Sequence, residues 1–211
     1  MYGMINSACV WHTHVTTMPS SFNTTLFWGE DELSNIKTSM VFHLTNMMKR
    51  QIENDWENIH SPLLSNYPEL LSGITLDLYR WALSIVYSRA LGIHRNGMYV
   101  RCIVPIIDLA NHSPTAATEA ADTFAYNAVD DTVMLVSPRG CERGLECWAY
   151  YGDYCNAKLL HTYGFVILNN PFRAIDMWPS LSSSTPAAAE KQQLLRTCPL
   201  TSQQTYDFSG E

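Results

Sequence analysis

From residue 40 onward the apolar residues Met40, Leu44, Met47, Met48, Ile52, Trp56 and Ile59 recur at steps of three and four. That period predicts a long amphipathic helix with this stripe as its buried face. Just ahead of it, Gly29-Glu30-Asp31-Glu32-Leu33 opens a helical region with acids in its first turn, where the helix dipole favours them. Asn66-Tyr67-Pro68 and Gly73 interrupt the pattern, and a second helix is predicted from about Thr75 to Leu91. Its inner face reads Leu78, Trp81, Ala82, Ile85 and then Arg89. A guanidinium on an apolar face is costly unless an anion pairs with it. Either an internal Asp or Glu or the carboxylate of a ligand would serve.

The pattern changes at Tyr99. Val100 to Val104 is β-branched, short and stopped by Pro105, so it reads as a strand. Thr123 to Asn127, Thr132 to Ser137 and Glu146 to Tyr150 are further strand candidates, separated by Asp130-Asp131 and by a turn region from Pro138 to Gly144. Asn156 is placed as the cap of a short helix that Gly164 ends, and Phe165 to Leu168 as a last strand. Ser180 to Ala189 reads as a linker and Glu190 to Arg196 as the start of another helix. Helices first and short strands afterwards make the class α+β.

Composition narrows the function. With 46% hydrophobic and 16% charged residues in 211, the chain is expected to be globular, with one domain as the default. A net charge of −7 lacks the basic footprint that phosphate binding requires, which argues against a nucleic-acid partner. The apolar run Cys102 to Ala110 is far shorter than the roughly 20 residues of a membrane span, so no membrane role is expected. Met1 to Val10 lacks the layout of a secretory signal, so an intracellular, monomeric protein is expected, with an organelle possible if a targeting segment is missing. The six cysteines include no C-x-x-C pair, and free thiols are the reading. His12 and His14 have no third ligand nearby; they read as surface or interface histidines, and no metal is expected.

Three segments in order carry a resemblance. Val104-Pro105-Ile106-Ile107-Asp108-Leu109-Ala110-Asn111-His112-Ser113 comes first; Gly144-Leu145-Glu146 through Tyr151-Gly152 follows; Asn156-Ala157-Lys158-Leu159-Leu160 through Tyr163-Gly164-Phe165 closes. Together with the helical block bearing Trp81-Ala82 and Ser88-Arg89, they resemble SET-domain protein methyltransferases of the Rubisco large-subunit lysine methyltransferase and actin-histidine methyltransferase class. The resemblance implies a SET-like fold of short strands with a knot-like site and a long helical insertion. It divides the chain into a remnant of the N-terminal SET region (1–28), the insertion (29–92), the C-terminal SET core (93–172) and a linker opening a substrate-binding region (173–211).

The resemblance also implies an enzyme that uses S-adenosylmethionine to methylate a lysine side chain of a protein substrate. Asn111 and His112 would contact the cofactor, Arg89 would pair with its carboxylate, and Asp108, Leu109 and Ala110 would line its pocket. Tyr151 would be the catalytic residue at the transfer channel, and Tyr163 part of the wall around cofactor and target. Tyr126, Tyr150 and Tyr154 are left structural. A tyrosine at 163 implies lysine rather than histidine as acceptor. No Gly-x-Gly occurs before Trp28, so half of the family's cofactor cradle is absent and an N-terminal truncation is expected. The alternatives are a histidine methyltransferase and a catalytically inactive SET-like interaction module or truncated paralogue.

Overall fold

The computed structural model describes residues 9–71, 73–95, 97–116, 124–136 and 141–177, with 187, 189–191, 193 and 204–207 beyond them. A short helix, α1 (His12–Thr16), and a 3₁₀ turn (Thr25–Phe27) precede α2 (Glu30–Ser34). Glu32 Oε2 accepts the Gly29 backbone N–H at 2.9 Å, so the acidic first turn satisfies one of the donors that a helix start leaves open. The predicted long helix is α3 (Met40–Asp55), capped by Ser39, whose Oγ accepts from Phe42 N. Its buried positions are Val41, Thr45 and Ile52, whereas Met47 and Ile59 are exposed. The stripe is therefore rotated from the predicted one, because the polar Thr45 is drawn inward by hydrogen bonds rather than by hydrophobicity.

A π-helical turn (Trp56–His60) continues α3, and α4 (Ser61–Asn66) and α5 (Pro68–Leu71) follow. The second predicted helix is α6 (Leu76–Arg89), capped by Thr75 Oγ1 on Leu78 N at 3.2 Å. It stops at Arg89 instead of Leu91, since Ala90 turns extended and leads into β1 (Leu91–Arg95). β1 pairs antiparallel with β2 (Met98–Cys102), and Gly92 allows Tyr99 to lie over the hairpin, where a Cβ would collide with its ring. The hairpin escapes the sequence pattern because Gly92, His94 and Arg95 dilute its hydrophobic alternation.

β3 (Phe124–Asn127) and β4 (Thr132–Leu135) form a second antiparallel pair. Two predicted strands do not form ladders. Segment 146–150 contributes one parallel bridge, Ala149 to His112, and 165–168 belongs to no strand. The latter is held instead by Asn156, whose Nδ2 donates to Ile167 O and whose Oδ1 accepts from Ile167 N. Asn156 is thus the first residue of α7 (Asn156–Tyr163) and not its cap, which is Cys155. Gly164 ends α7 with φ 83°, as the sequence predicts. Its missing Cβ lets the backbone of Asn23 and Thr24 pass close by, joining α7 to the segment before α2.

Within the predicted tail, β5 (Ala174–Met177) pairs with β6 (Gln204–Asp207). The predicted linker and most of the helix at 190–196 lie outside the described residues. Among the described residues no helix is long and apolar enough to cross a membrane.

Candidate active site

The C-terminus of α6, the β1–β2 hairpin, the turn after β2, the loop at 150–154 and α7 enclose one cleft of about 710 Å³, within the size range of cofactor sites. Arg89 reaches it because the helix period carries the guanidinium to the inner face one turn beyond Ile85. Its Nη1 donates to the main-chain O of Asp108 at 2.8 Å. Among the described residues Arg89 forms no salt bridge, although the Asp108 carboxylate lies near enough to feel its charge. Arg101 and Lys158 line the same cleft and add positive charge to it.

The Pro-Asp segment turns sharply. Ile106 adopts φ 72° and opens a 3₁₀ turn, Ile107–Leu109. A β-branched residue in this region costs about 1–2 kcal/mol. Asp108 lines the cleft, and its carboxylate is buried, with Oδ2 3.1 Å from His14 Nε2 and Oδ1 without a hydrogen-bond partner among the described residues. Burial raises its pKa, opposed by His14 and Arg89. His14 is thus tucked against the Asp108 segment rather than standing free on the surface.

Of the resemblance-implied cofactor set, Ala110 also lines the cleft, whereas Leu109 and Asn111 are exposed and do not. Asn111 Nδ2 donates to Glu146 Oε1 at 2.6 Å, which ties the Asn-His segment to the neighbouring loop. His112 is buried behind the cleft. Its Nδ1 accepts from Tyr151 N at 3.1 Å, and its ring stacks on Tyr151 with centroids 5.2 Å apart. Burial lowers its pKa, which favours the neutral imidazole. Its Nε2 has no hydrogen-bond partner among the described residues.

The tyrosines gather as a wall. Tyr151 donates its hydroxyl proton to Ala110 O at 2.7 Å, and its ring lies 5.0 Å from that of Tyr163. Burial raises the pKa of both hydroxyls above the ordinary tyrosine value. Tyr154, left structural from sequence, stacks on Tyr163 at 6.0 Å and lines the cleft, as does Tyr150. Its signal lay in its place two residues after Gly152, in the loop that carries Tyr151. Tyr126 stays outside, bonded to Arg95 and Asp131 on the surface.

A polar cluster of Thr25, Thr45 and His161, the last of which also lines the cleft, locks α7 to α3. Thr45 Oγ1 donates to Val41 O at 2.7 Å and lies 2.5 Å from Thr25 Oγ1, which is 3.2 Å from His161 Nδ1. Thr45's proton is committed to Val41, so Thr25 must supply the proton between the hydroxyls and His161 Nδ1–H donates to Thr25. Burial lowers the pKa of His161, with the Lys158 charge adding to it, which favours the neutral imidazole.

Comparison with known proteins follows the same lines. No protein-family model matches the chain. It is 30% identical over 190 residues to the chloroplastic fructose-bisphosphate aldolase-lysine N-methyltransferase of Arabidopsis thaliana, a match over 86% of this chain and 38% of that protein. The chloroplastic Rubisco large subunit N-methyltransferase of Pisum sativum is 29% identical, with the same coverage. The actin-histidine N-methyltransferase of Rhinolophus ferrumequinum is 28% identical over 88% of this chain and 31% of its own length. The chain therefore spans between about three tenths and two fifths of the length of these relatives. Among solved structures, the SET domain of LSMT bound to methyl-lysine and AdoHcy superposes with a TM-score of 0.76 at 24% identity, over 97% of this chain and 47% of that one. This chain thus has the SET-domain fold and is a relative of the Rubisco large-subunit lysine methyltransferases and actin-histidine methyltransferases.

Proposed function

We propose that the cleft binds S-adenosylmethionine and that the protein transfers its methyl group to a lysine side chain of a protein substrate. The observation that carries this reading is the meeting, in one cleft, of an arginine that forms no salt bridge among the described residues with a wall of half-buried tyrosines. A cofactor with an amino-acid end fits the first feature: Arg89 would hold its carboxylate, and Asp108 and Ala110 would border it. The exposed Leu109 and Asn111 and the buried His112 would act from behind, by shaping that segment. When bound, the cofactor supplies an electrophilic methyl group on a sulfonium.

The protein's own residues then have three tasks. They align donor and acceptor, which replaces a bimolecular encounter by a fixed geometry. They exclude water, which favours the neutral amine over the ammonium form that dominates at an ordinary lysine pKa of about 10.4. They orient the amine lone pair, for which the Tyr151 hydroxyl, its proton committed to Ala110 O, offers its oxygen as acceptor of an amine N–H. The rings of Tyr151, Tyr154 and Tyr163 also suit a methylated ammonium product.

Lysine is preferred to histidine because the resemblance to lysine methyltransferases includes a tyrosine at position 163. The acidic chain favours a basic polypeptide over a nucleic acid, and an intracellular compartment, an organelle included, is the proposed setting. The exposed Asn111 favours the second reading, a SET-like interaction module without activity.

Transfer of labelled methyl from S-adenosylmethionine to lysine-containing protein separates the two. Tyr151→Phe should lower the transfer rate by about 10²-fold or more, in the range of a lost positioning or acid–base group, while cofactor affinity stays within about threefold. An unchanged rate would remove Tyr151 from its role, and transfer by neither protein would favour the interaction module.

A further inference from the structure

The carboxylate of Asp108 has a partner outside every motif that the site uses. His14 lies on α1, and its Nε2 meets Asp108 Oδ2 at 3.1 Å across 94 residues of chain. The Asp108 side chain is fully buried and that of His14 is 13% exposed. A buried carboxylate with one side-chain hydrogen bond among the described residues is expensive to keep, so its use must be sought in what it holds.

What it holds is the 3₁₀ turn Ile107–Leu109, entered through the strained backbone of Ile106. Two main-chain carbonyls follow from this turn. Asp108 O accepts from Arg89 Nη1 at 2.8 Å, and Ala110 O accepts from the Tyr151 hydroxyl at 2.7 Å. Both side chains that would meet the ligand are therefore aimed by the same three residues of backbone. That backbone is anchored locally by Asp108 N on Val104 O and from behind by the His14 contact.

We propose that His14 is a positioning residue of the cleft, which acts through Asp108 to fix the two carbonyls that aim Arg89 and Tyr151. The inference rests on the reading that Arg89 holds a cofactor carboxylate. The charged or titratable groups facing Asp108 are His14 from α1, Arg89 from α6 and Tyr151 from the loop before α7. His14 is the one among them that stands outside the cleft lining, so it can be changed without touching a ligand.

The test uses the whole chain and two variants, His14→Ala and His14→Gln; the amide nitrogen of glutamine reaches about as far as Nε2 and can donate to the carboxylate. S-adenosylhomocysteine is titrated into each by calorimetry, and backbone amide exchange is followed at Asp108, Leu109 and Ala110. His14→Ala should weaken binding about tenfold and speed exchange at these amides, and His14→Gln should restore both to within about threefold. Rescue by glutamine identifies the hydrogen bond, rather than ring packing, as the cause.

Wild-type affinity and exchange in His14→Ala would overturn the proposal and leave the cofactor reading intact. The proposal fails equally if His14→Gln behaves as His14→Ala. If the wild type binds no S-adenosylhomocysteine but exchange changes and is rescued as expected, the anchor stands and the cofactor reading fails.

Discussion

Asp108 concentrates the electrostatics of the site in one residue. Burial raises its pKa above the ordinary 3.8, so the folded protein binds its proton more tightly than the unfolded chain does. Stability from this group is then fully present below pH 3.8 and is lost as pH rises through the folded-state value. Asp108→Asn removes that titration. The melting temperature of the wild type relative to this variant should therefore fall between acid and neutral pH; curves that run parallel would show that the carboxylate is not destabilised by its surroundings. At this scale Arg89, Tyr151 and Tyr163, which the structure brings to one cleft, stand out in the sequence, because a charge on an apolar helix face and paired Tyr-Gly contexts are local patterns. His14 was not, since its contact spans 94 residues and nothing near it announces a partner. Asn111, which the motif names as a cofactor contact, is exposed and donates to Glu146.

The elements that hold the site are short, and their ends matter more than their middles. α6 delivers Arg89 at its last residue, and α7 delivers Tyr163 at its last residue before Gly164. Gly164 has φ 83°, and a Cβ there would lie 2.8 Å from Thr24 N and 2.9 Å from Asn23 C. Gly164→Ala should destabilise the protein by about 2–3 kcal/mol, more than the left-handed backbone alone would account for, because backbone must also move. Chemical denaturation measures this; a loss under about 1 kcal/mol would mean that the 23–24 segment yields freely. The helices were readable from period and caps. The strands were less so, because a strand needs a partner: segment 146–150 finds one bridge, and 165–168 is tied by an asparagine side chain instead of a ladder.

Over the whole molecule, an acidic chain of net charge −7 presents a cleft whose lining, among the described residues, includes Arg89, Arg101 and Lys158 against a single carboxylate, Asp108. That contrast suits a ligand with its own carboxylate, and the order of helices before short strands pointed to the α+β class before any contact was known. Binding of the cofactor product tests the account most directly. S-adenosylhomocysteine titrated into the chain by calorimetry should bind, and Arg89→Ala should weaken it by at least about tenfold, the loss expected for a charge-assisted bond of about 1.5–3 kcal/mol. Equal affinity in the two proteins, or no binding by folded wild type, would contradict the assignment of this cleft to the cofactor.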